Sequence, residues 1–232
     1  MVHNQSIAVI DFGSQYTQLI ARRIRELNVF SEILPFSISL DELKEKHVKA
    51  IILSGGPSSV YDQNAPKISE QILNSDIPIL GICYGLQLLM QDSGGNVHST
   101  GKGEYGFAHI LPNQSNPLFK NFPSESQVWM SHGDEVGNLP VGWEVLSKST
   151  NDVVAAVQKK NHSIYGVQFH PEVVHSLHGK ELLSNFLFDI SGCEPNWTPA
   201  NFVANAIQSI KDKVGDKKII CGLSGGVDSS VV

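Results

Sequence analysis

Cys83 stands in the stretch GICYGLQ, with Gly81 two positions before it and Gly85 two after. The spacing G-x-C-x-G suits a sharp strand-to-helix turn, where small neighbours let the backbone fold back and expose a nucleophile. At a helix N-terminus the positive end of the macrodipole favours thiolate over thiol. The same turn aims the N–H of Tyr84 at an oxyanion formed on any group that Cys83 attacks. A second donor is available from Gly56 in LSGGPSS, a Gly-Gly-Pro turn after an apolar run. FHPEV offers a base. Pro171 biases His170 toward extended backbone, and residues two apart on an extended chain face the same way, so Glu172 can hold the imidazole's tautomer. The ring can then take a proton from Cys83 and return it to a leaving amine, which is acyl transfer through a thioester.

Each feature also has a plain structural reading. A lone cysteine can be a small buried apolar side chain, LSGGPSS an ordinary turn, and His170–Glu172 a solvated pair. Their joint occurrence favours the chemical reading, since each stands once in a chain whose fold can gather them. His175 and His178 follow in the same segment, but no second cysteine or close carboxylate completes a ligand spacing, so no metal site is expected.

The elements that must position these residues follow a repeating pattern. Apolar runs SIAVIDF, FSEILPF, KAIILSGG and IPILGIC read as strands, separated by helices over QYTQLIARRIRELN, residues 41–46, 65–74 and 84–92. This predicts an α/β fold, a doubly wound, mostly parallel open sheet flanked by helices. After Gly94 the segments VWMSHGD, WEVLSKS, DVVAAVQ and IYGVQFH predict additional, partly antiparallel strands, and SLHGKELLSNFLFDI a closing helix. The turn formers and prolines of SGCEPNWTP predict a boundary: a domain over 1–190, a linker over 191–199, and the start of a second α/β domain over 200–232. There a helix, ANFVANAIQSIKDKVG, leads to a strand, KKIICG, and the loop LSGGVDSS.

Composition narrows the class. Of 232 residues, 41% are hydrophobic and 17% charged, which fits a globular chain with a sizeable core. A net charge of −6 without a Lys/Arg cluster predicts no nucleic-acid partner. The longest apolar region, residues 77–90, is too short to span a bilayer, and the N-terminus shows no basic leader, so a cytoplasmic protein without a membrane partner is expected. Three widely spaced cysteines, Cys83, Cys193 and Cys221, predict free thiols.

LSGGPSSVY, GICYGLQLL and GVQFHPE resemble, in order and wording, the three motifs of the class I, triad-type glutamine amidotransferase family. The resemblance implies that Cys83 attacks the side-chain amide of glutamine, with His170 as base and acid, Glu172 as its orienter, and Gly56 and Tyr84 as oxyanion hole. It implies glutamine contacts from Gln87 and from Ser131, His132, Gly133 and Asp134, with neither cofactor nor metal for this step. SGGVDSS lacks the lysine of a Walker A loop and resembles the pyrophosphate loop of the N-type ATP pyrophosphatases. That implies an ATP site at Ser224, Gly225, Gly226, Val227, Asp228, Ser229 and Ser230, with Asp228 either a Mg2+ ligand or a helix cap. The two together resemble the amidotransferases that convert XMP to GMP with ATP and Mg2+, for which a homodimer is possible. These residues would then hold the glutaminase part and a truncated start of the synthetase. Two other readings share the triad: the glutaminase component of another amidotransferase, and a catalytically silent regulatory module.

Overall fold

The computed structural model describes residues 5–220, except for the side chains of 100, 102, 202, 205 and 209. Cys221 and the loop Ser224–Ser230 lie outside the described residues. The chain divides into two compact units, Val2–Trp197 and a second beginning at Thr198.

In the first unit, β1 (Ser6–Asp11), β2 (Ser31–Pro35), β3 (Val48–Leu53) and β4 (Ile79–Ile82) alternate with helices α1 (Thr17–Glu26), α2 (Leu40–Glu45) and α3 (Glu70–Leu73), and α4 (Tyr84–Asp92) follows. Strands β5 (Val97–Pro112), β6 (Ser126–Val136), β7 (Trp143–Ser149), β8 (Val154–Lys159) and β9 (Ile164–Val167) complete one nine-stranded sheet in the order β2-β1-β3-β4-β9-β8-β7-β5-β6. The strands from β2 to β9 in that order are parallel, and those from β9 to β6 antiparallel.

Strand periodicity makes the sheet doubly wound. Ile7, Val9, Ala50, Ile52, Leu80 and Ile82 pack on one face with Ile20 and Ile24 of α1. The residues between them, Ala8, Ile10, Ile51, Leu53 and Ile79, pack on the other with Leu43 of α2, Ile72 of α3 and Leu86 of α4. Period-two alternation within an apolar run thus supplies both cores, as expected for strands buried on both sides. α2 opens on a capping box, Ser39 accepting from the Glu42 N–H and Glu42 accepting from the Ser39 N–H.

Three expectations are corrected, and one strand, β5, was not anticipated. The helix over 65–74 shrinks to α3, because Pro66 disfavours helix before it and the Ser69 hydroxyl accepts from the Gln71 N–H and starts the helix there. The closing helix divides into α5 (Gly179–Ser184) and a wider π-helical turn over Asn185–Ile190, where Asn185 turns inward to donate to the carbonyls of Leu118 and Lys120. β5 was hidden by its glycines. Gly101, Gly103 and Gly106 read as loop residues, yet the segment pairs with β6 through a register shift between Ser99 and Glu104 that accommodates them. In the second unit, α6 (Pro199–Val214) is capped by Thr198, and Lys217–Ile220 of the expected strand KKIICG are coil, its last two residues lying outside those described.

Gly85 tests the packing directly. A Cβ there would sit 2.5 Å from the Leu53 carbonyl oxygen, where α4 meets the end of β3. Gly85→Ala is expected to cost about 3 kcal/mol or more, read as a lower urea midpoint at unchanged m-value.

Candidate active site

Parallel strands bring their C-terminal ends to one edge, and β1, β3, β4 and β9 are consecutive neighbours. The loops leaving them carry Gly13–Tyr16, Ser54–Ser59, Cys83 and Gln168–Glu172 to that edge, the usual ligand side of an open α/β sheet. Register completes the juxtaposition. Gly81 pairs with Gly166 and Ile82 with Val167, so Cys83 and Gln168 leave the sheet side by side.

Cys83 sits between β4 and α4 at φ 52° and ψ −103°, a conformation rare for a residue with a Cβ. Its N–H is held by the Val167 carbonyl at 2.8 Å, and the Gly85 N–H by the Ser54 carbonyl at 3.1 Å. The glycines at both flanks are steric requirements, since a Cβ on Gly81 would lie 2.6 Å from the Gly85 backbone. The thiol lies 3.7 Å from the Ser131 carbonyl, and the Gln168 amide donates to the sulfur at 3.7 Å.

His170 and Glu172 are buried, with Nδ1 of the ring 2.8 Å from Oε1 of the carboxylate. A carboxylate oxygen accepts, so Nδ1 carries the proton and Nε2 is left for Cys83. Burial disfavours the imidazolium, but its hydrogen bonds to Cys83 and Glu172 and their charges outweigh it and hold His170 up to about 10. The backbone is fixed as tightly as the ring. The His170 N–H donates to the Trp129 carbonyl at 3.0 Å, Ser176 Oγ donates to the His170 carbonyl at 2.6 Å, and Arg23 Nε donates to the Glu172 carbonyl at 2.9 Å. Tyr16 meets the ring edge-on at 5.1 Å.

Cys83 opens on two cavities. One, of about 380 Å3, is lined by Gly56, Gln87, Ser131, His132, Gly133 and Asp134 among others. The second, of about 280 Å3, lies toward Tyr16 and His170, and Gly56 borders both. Tyr84 begins α4, where an N–H has no carbonyl one turn earlier to bond. Gln87 is buried and donates to the Asp134 carbonyl at 3.0 Å. The Asp134 carboxylate is engaged by the hydroxyls of Ser59 and Tyr61, tying the loop after β3 to β6. The structure therefore gathers every predicted residue of the glutaminase site around one sulfur, while the predicted ATP-loop residues are not among those described. Among the described residues no group of three or more His, Cys, Asp or Glu side chains is placed to hold a metal, and Cys83 and Cys193 are free thiols. No helix of the described residues is long and apolar enough to cross a membrane.

Sequence reading missed Gln168, Tyr16 and Tyr105, the last of which borders the larger cavity. Gln168 carried a usable signal, standing in the expected strand IYGVQFH just before His170; Tyr16 could be suspected from its place just after β1.

Comparison with known proteins decides the family. The family model for class-I glutamine amidotransferases matches residues 8–190. This chain belongs to the class-I glutamine amidotransferase family. Among curated amidotransferases, a glutamine-hydrolysing GMP synthase from Brachyspira hyodysenteriae is 52% identical over 225 residues, covering 97% of this chain and 44% of that protein. One from Mesoplasma florum is 54% identical over 230 residues, covering 98% and 45%. The chain thus spans under half the length of these relatives. A solved structure from Thermoplasma acidophilum, ascribed to a GMP synthase, superposes with a TM-score of 0.74 at 31% identity, covering 90% of this chain and 100% of that one. A glutamine amidotransferase from Thermotoga maritima shares the fold, at a TM-score of 0.65 and 21% identity over 82% of this chain and 99% of its own.

Proposed function

We propose that this amidotransferase chain hydrolyses glutamine to glutamate and ammonia through a thioester on Cys83. The observation that carries the reading is the convergence of the strained Cys83 turn with the buried His170–Glu172 pair beside a polar cavity. The Cys83 thiol passes its proton to His170 Nε2 and the sulfur attacks the amide carbon, whose carbonyl oxygen takes up negative charge facing the N–H groups of Gly56 and Tyr84. His170 gives its proton to the amide nitrogen as the C–N bond breaks, and ammonia leaves. Water then attacks the thioester, His170 accepting its proton, and glutamate departs as the sulfur is released. Gln87, Ser131, His132, Gly133 and Asp134 hold the amino-acid end of the substrate. The purified chain is expected to release ammonia from glutamine and not from asparagine; release from neither, with no adduct after exposure to diazo-oxonorleucine, would favour the silent regulatory module.

The domain organisation proposed is a glutaminase domain over 1–190, a linker over 191–199 and the beginning of an ATP pyrophosphatase domain from 200 onward. Identity above 50% to GMP synthases supports a whole enzyme that aminates XMP to GMP in purine biosynthesis with ATP; its proposed location is the cytoplasm. In it Ser224–Ser230, outside the described residues, would hold ATP with Mg2+.

A further inference from the structure

His132 and Glu104 form a buried couple that the triad does not use. The His132 side chain is 1% exposed and that of Glu104 10%. Nδ1 of His132 lies 2.9 Å from the Asp134 carbonyl oxygen, which can only accept, so Nδ1 bears hydrogen. That leaves Nε2 facing Glu104 Oε2 at 3.6 Å, and neither of these two atoms has a hydrogen-bond partner. A bare ring nitrogen and a carboxylate oxygen repel when buried together, and a proton on either atom would let it serve both. The other carboxylate oxygen, Oε1, is fixed by Ser149 Oγ at 3.0 Å and Asn151 Nδ2 at 2.8 Å. Gly103 presses Glu104 onto β6: a Cβ at Gly103, whose φ is +55°, would sit 2.4 Å from the His132 carbonyl oxygen.

The couple touches the cavity through one shared atom. The Asp134 carbonyl that meets His132 also accepts from Gln87 Nε2 at 3.0 Å, and both His132 and Gln87 line the larger cavity beside Cys83. We propose that Glu104 is a positioning residue: through a proton shared with His132 it holds the His132–Asp134 backbone against Gln87, and so sets affinity for the amino-acid end of the substrate. This rests on the glutaminase reading above.

The test compares two electrophiles at Cys83, with the modified cysteine identified by peptide mass. Diazo-oxonorleucine needs the amino-acid pocket, whereas iodoacetamide needs only an accessible sulfur. Glu104→Ala should lower the second-order rate of diazo-oxonorleucine labelling and raise KM for glutamine by about tenfold or more, with kcat and the iodoacetamide rate within about twofold of wild type. Glu104→Gln, whose amide can supply the missing proton or accept one, should restore both quantities to within about threefold. Equal losses in the two variants, or a parallel fall of both labelling rates, would overturn the proposal in favour of a merely structural carboxylate. An unchanged KM in Glu104→Ala would overturn it too. Wild-type chain that reacts with iodoacetamide but never with diazo-oxonorleucine would strike at the glutaminase reading itself.

Discussion

Cys83→Ala should abolish glutamine hydrolysis, with ammonia release falling by about 10^4-fold or more and no adduct forming with diazo-oxonorleucine. The expected size follows from the mechanism. Without sulfur the reaction loses its covalent route, and the remaining backbone donors cannot replace a nucleophile held at a fixed distance from the amide. Stability should move the other way, because φ of 52° at Cys83 is a conformation that the fold must impose against local preference. Cys83→Gly removes the Cβ that makes it costly, and is expected to be as inactive as alanine while unfolding at higher urea. Inactivity coupled with gained stability separates a functional residue from a packing one. Loss of stability in the glycine variant would instead mark Cys83 as a core side chain.

Glu172→Gln should slow hydrolysis by about 10^2- to 10^4-fold and change its pH dependence. In the native site, His170 is raised from an ordinary value near 6.5 to about 10, burial being outweighed by the hydrogen bonds and charges of Cys83 and Glu172. A raised value means that the imidazolium persists as pH rises and is lost only as pH approaches 10. The ring can therefore protonate the leaving amine across the neutral and mildly alkaline range, and activity should fall on the alkaline side only near that limit. Glutamine in place of Glu172 removes the negative charge and leaves only a neutral, weaker acceptor for Nδ1–H, while burial stays. The alkaline limb should then move to lower pH by about 1–3 units. A profile of kcat/KM against pH checks this; an alkaline limb that stays in place would mean that Glu172 does not govern His170.

The parts of this site that could be read from sequence are those in which local backbone geometry restricts residue type. Gly81 and Gly85 are readable because no other side chain fits between β4, α4 and β3. His170 and Glu172 are readable as a pair because only Pro171 separates them, but the structure brings them together in a turn over Pro171–Glu172 rather than on the extended backbone expected from sequence. Parallel strands then supply the rest, since consecutive C-terminal ends must lie on one edge. Illegible features depend on long-range partners. β5 carries three glycines that read locally as loop, and only β6 shows why they are tolerated. Glu104 has no motif around it, and its significance arises from Ser149, Asn151 and His132, brought to it by β6 and the turn after β7. The helix expected over 65–74 failed for the opposite reason: a local signal, Pro66 followed by the Ser69 cap, outweighed helical periodicity.

The central claim is that glutamine passes through a covalent intermediate on Cys83, and rapid acid quench of the chain mixed with isotopically labelled glutamine tests it most directly. The account predicts a γ-glutamyl group mapped by peptide mass to Cys83, formed as ammonia appears and lost as labelled glutamate appears. Ammonia release at the same rate with no label on Cys83, or with label on another residue, would contradict it.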